Sequence, residues 1–116
     1  MSDYKVVFHI DELDKWKLLL SNVSNLLNGI NGKTYNVMVI ANGEAVKYYD
    51  LTKDLAPNIA SIENLGNKGV VFIACNNSLL ANNIDKSDII SLIKVVPAGV
   101  LELVERQIEG YAYIRP

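Results

Sequence analysis

The sequence predicts an α/β domain whose sheet is mainly parallel and covered by helices on both faces. Two observations carry that expectation. Four short segments rich in β-branched residues are almost continuously apolar, as strands are when both faces of a sheet are buried. Between them lie segments with the apolar spacing of helices, and strand–helix alternation implies right-handed crossovers joining parallel strands. The 116 residues, half of them hydrophobic, make one domain, 1–116, with core enough to fold without disulfide or metal staples.

The predicted strands are Val6–Ile10, Val37–Ala41, Val70–Ala74 and Ile93–Val96. A fifth, Tyr111–Arg115, closes the chain, and its Tyr content and terminal Pro116 suit an edge or an interface. The first helix is expected from about Glu12 to Asn28. Trp16, Leu19, Leu20, Val23, Leu26 and Leu27 form its apolar stripe, Asp11 is placed to cap it, and Gly29 to end it in a left-handed conformation. A second helix is expected to start at Pro57 and stop before Gly66, with Leu55, Ile59, Ile62 and Leu65 facing the sheet. Ser78 to Leu92 is a less regular helical segment, with a start signal in Asp85 and Asp88. The last helix, Val100 to Glu109, is expected to bury Leu101, Val104 and Ile108 and to end at Gly110.

Composition excludes several classes. A formal charge of −2 and a pI near 5.3 leave no basic face for nucleic acid. No apolar run approaches the roughly 18 residues of a membrane span. The opening MSDYKVVFHID has Asp3 where a signal peptide carries basic residues. One cysteine makes no internal disulfide, which points to a reducing, cytoplasmic setting. The Asn22 and Asn76 sequons are read as coincidental. G-x-G-x-x-G, the P-loop, G-x-S-x-G, H-E-x-x-H and C-x-x-C are all missing, which disfavours nucleotide, hydrolase and redox-motif readings. One His and one Cys make a poor metal site, so neither metal nor cofactor is expected.

Ligands of open α/β sheets bind outside the carboxyl ends of the strands. The residues there are His9 to Asp11, then Asn42, Gly43 and Glu44, then Cys75, Asn76, Asn77 and Ser78, then Pro97, Ala98 and Gly99. They include the sole His and the sole Cys. Cys75 reads either as a nucleophile or as a small apolar residue packed at a strand end. As a nucleophile it has a helix start just after it, with Ser78 as the cap. A helix terminus supplies about 0.3–1 kcal/mol, less than the ~1.4 kcal/mol of one pKa unit. A strong thiolate therefore calls for a cation too, from His9 or another subunit. His9 reads either as a rim histidine with a satisfied nitrogen or as a proton partner. Asn42–Gly43 and Pro97–Gly99 read as turns or as places where a ligand approaches backbone. Tyr48, Tyr49, Tyr111 and Tyr113 lie either on the edge of the core or in an interface.

The chain resembles the DsrE/DsrF-like family, in particular a branch of small stand-alone proteins. The resemblance is carried by Lys5–Ile10, Val39–Gly43, Phe72–Leu79 with Cys75 at its centre, Val95–Val100 and the closing Arg106–Pro116. It implies a three-layer α/β/α fold with a five-stranded parallel sheet and homo-oligomers, commonly trimers or hexamers. In sulfur-relay members a cysteine accepts sulfur as a persulfide from a donor protein and passes it to an acceptor protein. Cys75 matches a cysteine of this branch, with His9 as a possible proton or charge partner and Asn42, Gly43, Asn76, Asn77, Ser78, Pro97 and Gly99 as the surrounding rim. Asn76 replaces a small residue, often Gly, and Glu44–Ala45 replaces a Gly or Pro that often follows the Asn-Gly pair. The function implied is a persulfide carrier. The alternatives are a non-catalytic oligomeric module that binds a small molecule or protein at the same rim, and an enzyme using His9 with Asp11 or Glu44.

Overall fold

A computed structural model describes residues 3–53 and 56–116. Leu55, expected to face the sheet, lies outside the described residues. The strands are β1 (Tyr4–Ile10), β2 (Tyr35–Ala41), β3 (Val71–Cys75), β4 (Lys94–Val96) and β5 (Ala112–Ile114). The helices are α1 (Trp16–Gly29), α2 (Ala56–Asn67), α3 (Asn76–Ala81) and α4 (Gly99–Ile108). All five strands are parallel, in the order β4-β3-β2-β1-β5.

The order explains the layers. From β1 to β4 the chain steps across the sheet in one direction, so right-handed crossovers put α1, α2 and α3 on the same face. The connection from β4 to β5 runs back the other way, and α4 therefore covers the opposite face. The two cores follow. Val6, Phe8, Val37, Val39, Phe72 and Ala74 meet Trp16, Leu19, Val23, Ile62, Leu65 and Leu79 on the first face. Val7, Ile40, Ile73 and Val96 meet Leu103 of α4 on the second. Strand residues alternate between the two sets, as a pleat requires.

Several local expectations are corrected. Asp11 caps nothing: a 3-10 turn, Leu13–Lys15, precedes α1, and Asp11 pairs instead with Arg115 at 2.8 Å. Gly29 is the last residue of α1 and is not left-handed; the turn is taken by Gly32, φ +74. The loop after β2 is a 3-10 segment, Gly43–Tyr49, which buries Ala45, Val46 and Tyr49. Trp16 donates its indole N–H to the Ala45 carbonyl at 2.9 Å and stacks on Tyr48 at 4.5 Å, while the Tyr49 hydroxyl donates to the Ile73 carbonyl. These two tyrosines thus belong to the core and its margin. The segment after β3 is a short helix, ended by Asn83 at φ +57, followed by a 3-10 turn, Lys86–Asp88, whose cap is Asp85.

The largest correction concerns α4. Its buried residues are Gly99 and Leu103, whereas Val100, Leu101, Val104 and Ile108 are 65, 56, 48 and 79% exposed. Spacing identified a stripe but not the side that faces the sheet. Close approach at Gly99 decides it: a Cβ there would lie 3.1 Å from the Cys75 Cβ and 3.4 Å from the Ile40 Cγ2. With Gly99 against the sheet, Leu103 follows one turn later and the apolar stripe faces outward.

Candidate functional site

Loops from adjacent strands leave toward opposite faces at only one place in this topology. After β3 the chain enters α3 on the first face, and after β4 it enters α4 on the second. The crevice expected at such a switch point opens between the carboxyl ends of β3 and β4. Cys75, the last residue of β3, pairs in register with Val96, the last of β4.

Cys75 is itself the N-cap of α3, and Ser78 is the helix's third residue, which corrects the expectation that Ser78 caps it. The cysteine is only 5% exposed. Burial pushes its thiol up, and polar groups beside the sulfur more than offset this: the Ser78 hydroxyl, then the backbone N–H groups of Gly99, Ser78 and Asn77. The outcome is a thiol held below its ordinary value. Amide donors thus come from the starts of two helices, α3 and α4, where N–H groups have no partner within the helix. Among the described residues of this chain no cation contributes; oriented dipoles and a hydroxyl lower the thiol.

The Ser78 hydroxyl is fixed in turn. It accepts from the Gly43 N–H at 2.7 Å, and with that lone pair occupied its own proton is free for the sulfur. Gly43 has φ +57, and a Cβ there would sit 3.2 Å from the Asp11 carbonyl oxygen, so both conformation and space call for glycine. Asn82 binds the Gly43 and Ser78 carbonyls and ties α3 to this turn.

Beside Cys75, just past the end of β2 and on the same face, stands Asn42. Its Oδ1 lies 3.0 Å from Nε2 of His9 on β1, and Nδ1 of His9 lies 2.5 Å from the Tyr113 hydroxyl on β5. Two residues further on, Arg115 donates to both oxygens of Asp11 at 2.8 and 3.0 Å. His9 is thus joined to the cysteine's surroundings through Asn42, with both ring nitrogens engaged elsewhere. Asn76 and Pro97 line a shallow cavity of about 200 Å³ with Lys86, Val95 and Val96, at the switch point. A larger hollow of about 560 Å³, walled by Glu12, Asp14, Glu44 and Leu13, lies away from the thiol.

The sequence-selected residues therefore fall into one rim. Asn77, Ser78 and Gly99 lie beside Cys75, Gly43 holds Ser78, Asn42 and His9 stand alongside, and Asn76 and Pro97 form the outer wall. Sequence reasoning missed Tyr113 and Arg115. The rule that selected the other residues, applied to the carboxyl end of β5, would have found them.

The model of the DsrE/DsrF-like family matches residues 15–116. No curated protein matches. Among solved structures, the protein of unknown function MTH1491 from Methanobacterium thermoautotrophicum is 37% identical over 98% of this chain and 100% of its own, with a TM-score of 0.87. The conserved protein of unknown function BT1422 from Bacteroides thetaiotaomicron shares the fold at 19% identity, over 97% of this chain and 94% of its own, with a TM-score of 0.72. With the family model spanning most of the sequence and a full-length structural relative at that identity, the chain belongs to the DsrE/DsrF-like family.

Proposed function

We propose that this protein is a persulfide carrier with Cys75 as the sulfur acceptor, working in the cytoplasm with separate donor and acceptor proteins. The family is associated with sulfur relay in general. The observation that carries the reading is the setting of the thiol: Ser78, its hydroxyl anchored by the Gly43 N–H at 2.7 Å, and the N–H groups at the starts of α3 and α4 lower it despite burial. A sulfur that only filled space would need no such donors. In the step proposed, the Cys75 thiolate attacks the outer sulfur of a donor persulfide, R–S–SH. The new bond joins Sγ to that sulfur, the donor S–S bond breaks, and the electron pair leaves on R–S⁻. The proton stays on the transferred sulfur, so no oxidant is consumed. Gly99, Asn77 and Ser78 stabilise the attacking thiolate; the rim of Asn42, Gly43, Asn76 and Pro97 shapes the approach; His9 acts on the site through Asn42.

Intact-mass measurement after incubation with glutathione persulfide tests this. A gain of one sulfur atom per chain, lost in Cys75→Ser, is expected. No gain in the wild-type chain rules the carrier out.

A second reading, an oligomeric module binding a partner at the same rim, is favoured by the exposed stripe Val100, Leu101, Val104 and Ile108 on α4. Family members often form oligomers, and we place a trimer or hexamer contact on this stripe. Cys75→Ala would then leave binding and assembly unchanged.

A further inference from the structure

We infer that Asn42 is a positioning residue which donates a hydrogen bond to the outer sulfur carried on Cys75, and that His9, held by Tyr113, sets which end of its carboxamide faces that sulfur. The inference rests on the persulfide reading and deepens it.

An amide oxygen only accepts, so Nε2 of His9, 3.0 Å from Oδ1 of Asn42, is the donor in that pair. In the neutral ring Nδ1 then offers a lone pair, and the Tyr113 hydroxyl beside it is the donor. The Asn42 oxygen is thereby committed to His9, and its Nδ2 is the end left to donate.

Strand order converts that sense into direction. Asn42 directly follows β2, which has β1 on one side and β3 on the other. It continues the register Ala41↔Ala74 by one residue, so it is abreast of Cys75. The same small space, where a Gly99 Cβ would be, touches the Cys75 Cβ at 3.1 Å and the Asn42 Cβ at 3.5 Å. With Oδ1 turned to His9 on β1, the Nδ2 end is turned to the β3 side. A second sulfur attached to the Cys75 thiol extends beyond Ser78 and the backbone N–H groups that lower it, and the Asn42 amide stands abreast of it.

The test is the exchange equilibrium between glutathione persulfide and the protein, read by intact mass, together with the pH midpoint of alkylation of the unloaded thiol. Asn42→Ala is expected to lower the exchange constant about tenfold, the scale of one hydrogen bond to a charged group. The alkylation midpoint is expected to stay at the wild-type value. His9→Phe should reproduce most of the loss, and His9→Gln, whose amide keeps a donor toward Asn42, should restore it. Equal exchange constants in wild type and Asn42→Ala, or no difference between the two His9 variants, overturns the inference while leaving the carrier standing. A midpoint that moves as far as the exchange constant also overturns it, because the amide would then act on Sγ itself. A wild-type chain that takes up no sulfur overturns the carrier and this inference with it.

Discussion

Replacing Gly99 with alanine separates the packing role of this residue from its electrostatic one. The added Cβ would meet Cys75 Cβ at 3.1 Å, Ile40 Cγ2 at 3.4 Å and Asn42 Cβ at 3.5 Å. Carbon pairs are most favourable near 3.5–4.0 Å, so the first contact must open by a few tenths of an ångström. None of the three neighbours yields easily. Cys75 ends a strand, Ile40 is fully buried in the sheet, and Asn42 is tied to His9. The helix moves instead. Gly99 has no positive φ, so the alanine backbone itself is unstrained. Crowding of this kind costs about 1–3 kcal/mol, and alanine's better helix propensity returns up to about 1 kcal/mol. The net expectation is a loss of about 1 kcal/mol, or roughly 4 °C in Tm for a domain of this size.

The chemical effect is larger in kind. Lifting the start of α4 weakens the Gly99 N–H bond to the sulfur, one of the contributions that lower the thiol. The pH midpoint of iodoacetamide alkylation is therefore expected to rise in Gly99→Ala while circular dichroism stays native. A midpoint that is unmoved, or that falls, in a folded variant refutes the assignment of α4 to the cradle.

Three further outcomes follow from the same structure. Because the folded-state thiol lies below its ordinary value, its ionisation adds stability that is fully present above the ordinary value of an unfolded thiol and is lost as pH falls through the lowered one. Urea titrations of the wild type should accordingly show stability rising across that window, and Cys75→Ser should remove the rise. Trp16→Phe leaves the buried Ala45 carbonyl without its donor and loses the overlap with Tyr48, for a cost of about 2–4 kcal/mol that thermal melts would register. Ile108→Glu changes a residue that is 79% exposed, so an isolated chain should melt as before, whereas an assembly built on the α4 stripe should fall to the monomer mass in light scattering.

How much was legible depends on the kind of constraint. The five strands were legible because β-branched apolar runs such as Val37–Ala41 leave little choice of conformation. The stripe of α1 was legible because its buried members, Trp16, Leu19 and Val23, recur at helical spacing. The orientation of α4 was not, because its rotation is set by a non-local contact between Gly99 and Cys75 rather than by its own periodicity. The 3-10 segment after β2 was hidden for a related reason: Ala45 and Tyr49 are held by Trp16 and Ile73, both distant in sequence. The rim was legible as a set of strand ends. Its internal wiring was not, since the bond from His9 to Tyr113 joins residues 104 positions apart.

Strand order supplies what the set of strand ends lacked. A lone thiol at any carboxyl end would have one helix start beside it, worth too little to hold it ionised. At β3 the situation differs, because the chain reverses direction after β4 and sends α4 to the opposite face. The start of that helix then returns against the same sulfur from the other side, and Gly99, lacking a side chain, lets it come close enough to donate. Moved one strand toward β1, the cysteine would stand at position 42, which lies beside the same Gly99 but opens a 3-10 segment in place of an α-helix. The lowered thiol is therefore a property of the topology acting through one glycine, which is why Gly99→Ala tests it more sharply than any change to the cysteine.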